Sequence, residues 1–141
     1  MAAQPRQVAV PDDERSDARE RAMSLLYEAE QRSMTGSEIV AAQVMKPDGL
    51  TRLLVGGVVE HQEDLDILIS THAKGWALSR MPSLDRTVLR IATFELMHRP
   101  EVPTAVVLNE AVKLAKRFST DDSGRFVNGV LSAIVPVARP A

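Results

Sequence analysis

The chain has 141 residues, carries 17 Lys or Arg against 19 Asp or Glu, and contains no cysteine. This length suits one domain with a core of its own, and 45% hydrophobic with 26% charged residues is typical of a soluble globular protein. The lack of cysteine excludes disulfides and thiolate sites, and fits a reducing compartment such as the cytoplasm. No apolar run predicts a membrane span, and the first residues lack the apolar stretch of a signal peptide.

The two halves of the chain differ in charge. Residues 1–73 hold seven Lys or Arg and thirteen Asp or Glu, whereas residues 74–141 hold ten and six. A nucleic-acid-binding surface is a local property of a protein. The net charge of −2 therefore neither requires nor excludes RNA or DNA as a partner.

The first third of the chain predicts an arm and two helices. Residues 1–12 contain two prolines and no periodicity, which predicts a disordered arm before a single domain over residues 13–141. Apolar residues at helical spacing then predict a helix from about Asp13 to Met34. A short second helix follows, for which we expect Ser37 to be the N-cap.

The segment from Leu50 to Ala73 is helical in period, either as one helix or as two helices divided at the polar patch 60–64. The pair Gly56-Gly57 lies inside this pattern, where each glycine costs about 1 kcal/mol relative to alanine. We therefore expect the pair at a point where a neighbouring helix approaches closely.

Three more helices are predicted in the second half. A connector with Trp76, expected to be packed inside, precedes a helix that starts at Pro82 or Ser83 and is apolar nearly all round, as a central helix is. An amphipathic helix spans Thr104 to Phe118, and a last helix follows the turn 120–124. No useful stretch alternates with period two, so the fold class is all-α, with six or seven helices.

Candidate catalytic and metal-binding residues are few. His61, His72 and His98 are dispersed and lack the spacing that puts two ligands on one helix face, so surface or half-buried histidines are the better interpretation. The chain has no phosphate-binding loop, no Gly-x-Ser-x-Gly motif and no cysteine nucleophile. The sequence thus predicts no catalysis, no cofactor and no metal.

Basic residues recur at helical spacing in several places. They are Arg15 with Arg19, Arg86 with Arg90, the trio Lys113, Lys116 and Arg117, and Arg125 at the start of the last helix. Such groups neutralise phosphates, and an aromatic ring such as Tyr27 can stack on an unpaired base. Each group alone is also explained as a solvated helix face, and Arg86 with Arg90 could equally serve a partner.

Longer segments of the second half carry a family pattern. The segment 111–118 with the block Phe126-Val-Asn-Gly-Val-Leu131 resembles the C-terminal signature of the NusB family. The segment 85–96 and the pairs Ala18-Arg19 and Leu26-Tyr27 resemble that family too. The match runs from about residue 15 to residue 134, nearly the whole chain.

The resemblance implies an all-α fold of two small bundles, about seven helices in total, and a transcription antitermination factor without enzymatic activity. Proteins of this family pair with NusE, a small-subunit ribosomal protein, and bind boxA RNA. They help the RNA polymerase elongation complex to resist premature termination on ribosomal RNA operons. Matched by position, and with the basic cluster added, the expected RNA-binding residues are Arg15, Arg19, Tyr27, Lys113, Lys116, Asp122, Arg125 and Phe126.

One stretch departs from the family. Relatives often carry arginines just before the Ala18-Arg19 pair, where this chain has Asp12-Asp-Glu-Arg-Ser-Asp17, one arginine among four carboxylates. Carboxylates repel phosphate, so we expect weaker N-terminal RNA contact and more reliance on the basic second half and on NusE. In the signature block, we expect Asn128 to be a buried amide and Gly129 to allow close helix packing.

Two other functions stay open. The first is a NusB-like accessory domain of an RNA-modifying enzyme; the lack of a glycine-rich cofactor loop in a chain that stops at Ala141 argues against it. The second is a protein-binding or self-associating module with weak or no RNA binding. The family includes dimers that bury the RNA surface, so a homodimer belongs to this alternative.

Overall fold

The structure, a computed structural model, describes residues 12–141, with side chains from Arg15 onward. Within this range it contains six α-helices, one short 3-10 turn and no strand, which confirms the all-α prediction. None of these helices is long and apolar enough to cross a membrane. The elements are α1 Asp12–Gln31, α2 Gly36–Ala41, α3 Gly49–His72, the 3-10 turn Leu78–Arg80, α4 Ser83–His98, α5 Thr104–Phe118 and α6 Asp121–Ala138. Except for Asp12, the predicted arm lies outside the described residues.

Helix α4 lies at the centre of the fold, as its sequence predicts. It packs against α1 and α3 on one side and against α5 and α6 on the other, so two groups of helices share it. Its buried residues cover most of its circumference, from Val88 to Leu96 with only Arg90 half-buried. A single continuous core of aliphatic side chains and Phe94 runs through both groups.

Local hydrogen bonds set the C-terminal end of α1 and the start of α2. The amide of Met34 donates to the carbonyl of Ala29 and that of Ser33 donates to Glu30, while Ser33 has a φ of 54°. This is a Schellman ending with serine in the left-handed position that glycine usually takes. Thr35 then caps α2 through a capping box with Glu38, so the expectation that Ser37 is the N-cap is wrong.

Helix α3 is continuous through the polar patch that could have divided it. Leu54 and Val58 before the patch and Leu65 and Ile69 after it are all buried on one side. Because the buried stripe keeps its helical period, the patch 60–64 simply lies toward solvent.

The two adjacent glycines of α3 differ in surroundings. A Cβ built on Gly57 would overlap the ring of Phe94, whereas one built on Gly56 meets no atom within 4 Å. The expected close helix approach is therefore confirmed at Gly57 and does not apply to Gly56.

Three expectations for single residues are corrected. Asn128 is exposed rather than buried, and a Cβ on Gly129 would meet no atom within 4 Å, so this glycine allows no close packing inside the chain. Trp76 is half-exposed and leans on Phe126, with ring centroids 5.6 Å apart. All three lie on or beside the outer side of α6, where the signature block is amphipathic and turns only its apolar positions inward.

Candidate nucleic-acid and partner interface

Side chains of the N-terminal half of α1 reach across to α5. The Ser16 hydroxyl donates to the Glu110 carboxylate at 2.7 Å, and the Arg117 guanidinium donates to Glu20 at 2.9 Å. These contacts hold α1 beside the basic trio of α5, which reads Lys113, Lys116 and Arg117. The structure thus brings together basic residues that are about 100 positions apart in sequence.

Glu110 is the carboxylate at the centre of this junction. Partial burial alone would raise its pKa, but hydrogen bonds from Ser16 and Lys113 and the charges of Lys113 and Arg19 outweigh burial and lower it. Glu110 is therefore ionised at neutral pH and holds the Lys113 ammonium at 3.0 Å.

A polar surface groove runs between α5 and α6, which pack against each other, and two of the predicted basic residues line it. Lys116 lies on its α5 side and Arg125 on its α6 side, and the exposed amides of Asn109 and Asn128 line it as well. The stem of Lys116 crosses Gly124, where an added Cβ would lie 2.5 Å from the lysine Cγ. Gly124 thus leaves room for the lysine to lie across the groove.

The start of α6 forms one end of the groove. Thr120 caps this helix by accepting from the Ser123 amide at 3.0 Å, and Asp121 and Asp122 occupy the first turn. Carboxylates at this position are favoured by the helix dipole. Asp122 also pairs with Arg125 one turn later.

The basic side chains at this surface are well exposed. Lys113 is 63% exposed and Arg125 is 75% exposed, although each has a carboxylate partner within one turn of its own helix. Exposed pairs of this kind contribute about 0–1 kcal/mol, so a competing phosphate can displace them. The groove is thus a surface where cations remain available to an anionic ligand.

Arg19 is the one buried residue among the predicted site residues. It is 3% exposed, and its guanidinium donates to both oxygens of Glu95, Nε to Oε1 at 2.7 Å and Nη2 to Oε2 at 3.0 Å. Glu95 is 1% exposed and also accepts from Arg99 at 2.8 Å. Held in this way, Arg19 fixes α1 onto α4, and its expected contact with RNA stays a prediction.

The other predicted site residues are placed at different depths. Arg15 is half-buried near the start of α1, and Tyr27 is half-buried about three turns further along that helix, away from the α5–α6 groove. Phe126 is half-buried and covered on one side by Trp76, so the two rings form a partly exposed aromatic surface beside α6. The roles of these residues in RNA binding stay predictions.

Arg86 and Arg90, left open by the sequence, are tied into the fold. Arg90 donates to both oxygens of Asp66, at 2.7 and 2.9 Å, and so joins α4 to α3. Arg86 donates to the carbonyl of Leu78 at 3.1 Å and pairs with Glu30. Both arginines therefore link α4 to neighbouring helices through hydrogen bonds and ion pairs.

Two of the dispersed histidines meet in the fold. His61 of α3 and His98 of α4 stack with centroids 4.0 Å apart, next to the ring of Phe94. Partial burial and the neighbouring His61 lower the pKa of His98, against opposing effects of Glu60 and Asp64. In the part of the chain that the structure describes, no group of three or more His, Asp or Glu side chains is arranged to hold a metal ion.

The groove on α5 and α6 belongs to a segment that family comparison also matches. The model of the NusB family matches residues 16–136. This chain belongs to the NusB family. The transcription antitermination protein NusB of Arthrobacter sp. (strain FB24) is 44% identical over 124 residues, which cover 85% of this chain and 91% of that protein.

Solved NusB structures have the same fold. T. maritima NusB is 31% identical and has a TM-score of 0.81 over 93% of this chain and 94% of that one. A chain in the crystal structure of antitermination factors NusB and NusE in complex with dsRNA is 29% identical, with a TM-score of 0.77 over 90% of this chain and 99% of that one. These similarities confirm the NusB-like fold and the family expected from the sequence.

Sequence reasoning missed part of this NusB surface and its support. The amides of Asn109 and Asn128, exposed across the groove, were not candidates, because a polar residue in an amphipathic helix carries no sign of its partner. Glu95 was also missed as the partner of Arg19, although a carboxylate inside the apolar stretch 88–97 of α4 was a usable signal.

Proposed function

We propose that this chain is a transcription antitermination factor that binds boxA RNA together with NusE. It would thereby act on the RNA polymerase elongation complex at ribosomal RNA operons, by binding rather than by catalysis. The observation that carries the proposal is the groove between α5 and α6, which the exposed side chains of Lys116 and Arg125 both line. A similar NusB chain has been solved in a complex with NusE and dsRNA, which supports both partners.

The groove supplies two kinds of contact for RNA. Lys116 and Arg125 in the groove, with Lys113 one turn earlier on α5, neutralise phosphates, which gives affinity without regard to base sequence. The amides of Asn109 and Asn128 each offer a donor and an acceptor, which suits base edges or ribose hydroxyls of an unpaired strand. Phosphate contacts then position the strand, and the amides read it.

The contribution of α1 is reduced in this proposal. Arg19 is buried against Glu95, and Asp17 is exposed in the stretch where relatives often carry arginines. Much of the phosphate contact therefore falls to α5 and α6. Exposed cations of this chain form ion pairs with Glu20, Glu110 and Asp122, which reduces the positive charge available to RNA. NusE therefore supplies additional surface for RNA.

Gel shifts with a boxA RNA, with and without NusE, test the proposal. We expect binding to be strongest with NusE present, and weakened in Lys116→Ala and Arg125→Ala. Lys46→Ala is the matched control, since Lys46 is exposed on the loop between α2 and α3 and its loss removes the same charge. If neither RNA nor NusE binds, the proposed function is wrong; if only Arg15→Ala abolishes binding, the assignment to α5 and α6 is wrong.

The alternative is a protein-binding module with weak or no RNA binding. The observation that favours it is that Lys113, Arg117 and Arg125 each already have a carboxylate within 3.0 Å. Binding of NusE with no added affinity for boxA RNA, in the same gel shifts, would support this alternative over the leading one.

A further inference from the structure

The connector between α3 and α4 carries an exposed aromatic side chain. The chain has one tryptophan, Trp76, and its side chain is 49% exposed. Phe126 of α6 packs against the core, whereas Trp76 lies outside the core and meets the Phe126 ring at a tilt of 58°. Contact with Phe126 leaves about half of the indole surface in water, so Trp76 is available to another molecule.

The connector holds Trp76 in a fixed position. Its two ends are anchored, because Ala73 and Met81 are buried in the core. The amide of Trp76 donates to the carbonyl of Ala73 at 3.0 Å and closes a β-turn, in which Gly75 has a φ of 81°. Arg86 of α4 donates to the carbonyl of Met81 at 3.2 Å. The exposed indole is therefore presented by a segment that is tied to the fold on both sides.

The charged residues of this connector are all cations. Lys74 and Arg80 are exposed before and after Trp76, and residues 67–84 contain no Asp or Glu. Within the part of the chain that the structure describes, neither of these two cations forms an ion pair. Exposed cations of α5 and α6, by contrast, have carboxylate partners. The connector thus keeps two positive charges that no carboxylate of the described chain neutralises.

Phe126 links the connector to the proposed RNA groove. It directly follows Arg125, which lines the groove, and successive residues of a helix point about 100° apart around its axis. Phe126 therefore lies on the flank of α6 beside the groove, and the contact with Trp76 extends this flank onto the connector. An RNA strand that leaves the groove past Arg125 can reach both rings.

We infer that Trp76 is a stacking platform for an unpaired base of the RNA, with Lys74 and Arg80 contacting neighbouring phosphates. The inference rests on the proposed function, for which it names an RNA contact outside the groove. Single-stranded nucleic acids are bound by exposed aromatic rings together with cations that follow the backbone, and the connector supplies both. Stacking accepts any base, so Trp76 adds affinity with little preference for sequence.

The surroundings of Trp76 favour a nucleic acid over a protein as the ligand. Between residues 68 and 105, Trp76 is the only large hydrophobic side chain that the structure leaves exposed. A protein interface has an apolar core of several side chains with a polar rim. A single aromatic ring between unpaired cations instead matches one base and its phosphates.

Fluorine NMR tests the contact directly. Because Trp76 is the only tryptophan, fluorotryptophan incorporated into this chain reports on that position alone, even in the complex with NusE. We expect its resonance to shift when boxA RNA is added to the NusE-bound chain. Abasic nucleotides placed one at a time along boxA should remove this shift at the position whose base stacks on Trp76.

Substitutions separate stacking from phosphate contact. Trp76→Ala should lower the boxA affinity of the NusE-bound chain about fivefold or more, with an unchanged slope of log affinity against log salt. Trp76→Phe keeps an aromatic face and should retain most of the affinity. Lys74→Ala and Arg80→Ala should each lose about 0.7 from the salt slope. Leu53→Ala is the matched control, since Leu53 is an apolar side chain with 50% exposure on α3, and it should bind RNA normally.

Three results would overturn the inference. The first is boxA binding by the wild-type complex with no shift of the fluorine resonance and full affinity in Trp76→Ala; the proposed function then stands without the platform. The second is an equal loss of affinity in Trp76→Ala and Trp76→Phe with a lowered melting temperature in both, which shows a structural role. The third is weaker NusE binding by Trp76→Ala in the absence of RNA, since the surface would then belong to a protein. A wild-type complex that binds no boxA RNA refutes the proposed function itself, and the platform with it.

Discussion

The junction of α1 with α4 and the groove between α5 and α6 both collect basic side chains, but the fold uses them differently. At the junction, Arg19 is almost fully buried, and its Nε and Nη2 donate to the two carboxylate oxygens of Glu95. In the groove, Lys116 and Arg125 are exposed, and Arg125 forms an exposed ion pair with Asp122.

The difference separates a stabilising charge from a binding charge. A buried cation is desolvated and its partner is fixed, so its removal changes the free energy of unfolding. An exposed cation remains hydrated and exchangeable, so its removal changes affinity for an anion with little effect on stability. Mutations can therefore place each basic residue in one group or the other.

The largest effect is expected at the buried junction. Glu95→Gln removes the charge that faces Arg19 and Arg99, and breaking a buried pair costs about 3–5 kcal/mol of unfolding free energy. Glu101→Gln is the control: its carboxylate also meets Arg99 but is exposed, so its change stays within about 0.5 kcal/mol. Urea denaturation measures both, and equal losses in the two variants would contradict the distinction.

The two adjacent glycines of α3 give the next effect. Gly57→Ala forces a methyl group into the ring of Phe94, and overpacking of this kind costs about 1–3 kcal/mol. Gly56→Ala enters open space and gains helix propensity, so it stabilises the monomer by about 1 kcal/mol. Thermal unfolding of the monomeric chain should give shifts of the melting temperature of opposite sign for the two variants. Shifts of the same sign would contradict the packing described at one of these glycines.

A substitution without charge change tests the groove. In Gly124→Ala the new methyl group displaces the stem of Lys116, so RNA affinity should fall nearly as far as in Lys116→Ala. Both variants should lose about 0.7 from the slope of log affinity against log salt, which corresponds to one phosphate contact on a single strand. A Gly124→Ala protein with full RNA affinity would mean that the position of Lys116 is unimportant.

The smallest effect concerns the stacked histidines. The pKa of His98 is lower in the folded chain than its ordinary value of 6.5, so the folded state binds fewer protons near that pH. This contribution to stability is present above pH 6.5 and is lost as the pH falls from 6.5 toward the folded pKa. NMR titration should place the His98 midpoint below 6.5 and raise it in His61→Ala; a wild-type midpoint at or above 6.5 would contradict the arrangement.

The sequence predicted the helices well because their signals are local. The central α4 and the bounds of α5 follow from apolar periodicity and flanking prolines, and both are found as expected. The N-cap of α2 was misplaced by two residues because serine is the more common capping type, whereas Glu38 at the third position favours Thr35.

The candidate site was less predictable for a physical reason. Arg15, Arg19 and Arg125 look alike in a sequence, since exposure depends on which distant residue lies opposite. The partner of Arg19 is 76 positions away and that of Arg117 is 97 positions away. Helical spacing gives the face on which a residue lies, and only the packed fold gives what that face meets.

The central claim is that exposed cations of α5 and α6 carry the electrostatic part of RNA binding. Its most direct test is the salt dependence of boxA RNA affinity for the NusE-bound chain and for its Lys113→Ala/Lys116→Ala/Arg125→Ala variant. We expect the slope of log affinity against log salt to lose about 2 in magnitude, because three contacts contribute about 0.7 each on a single strand. An unchanged slope in this variant, with a flattened slope in Arg15→Ala, would contradict the claim.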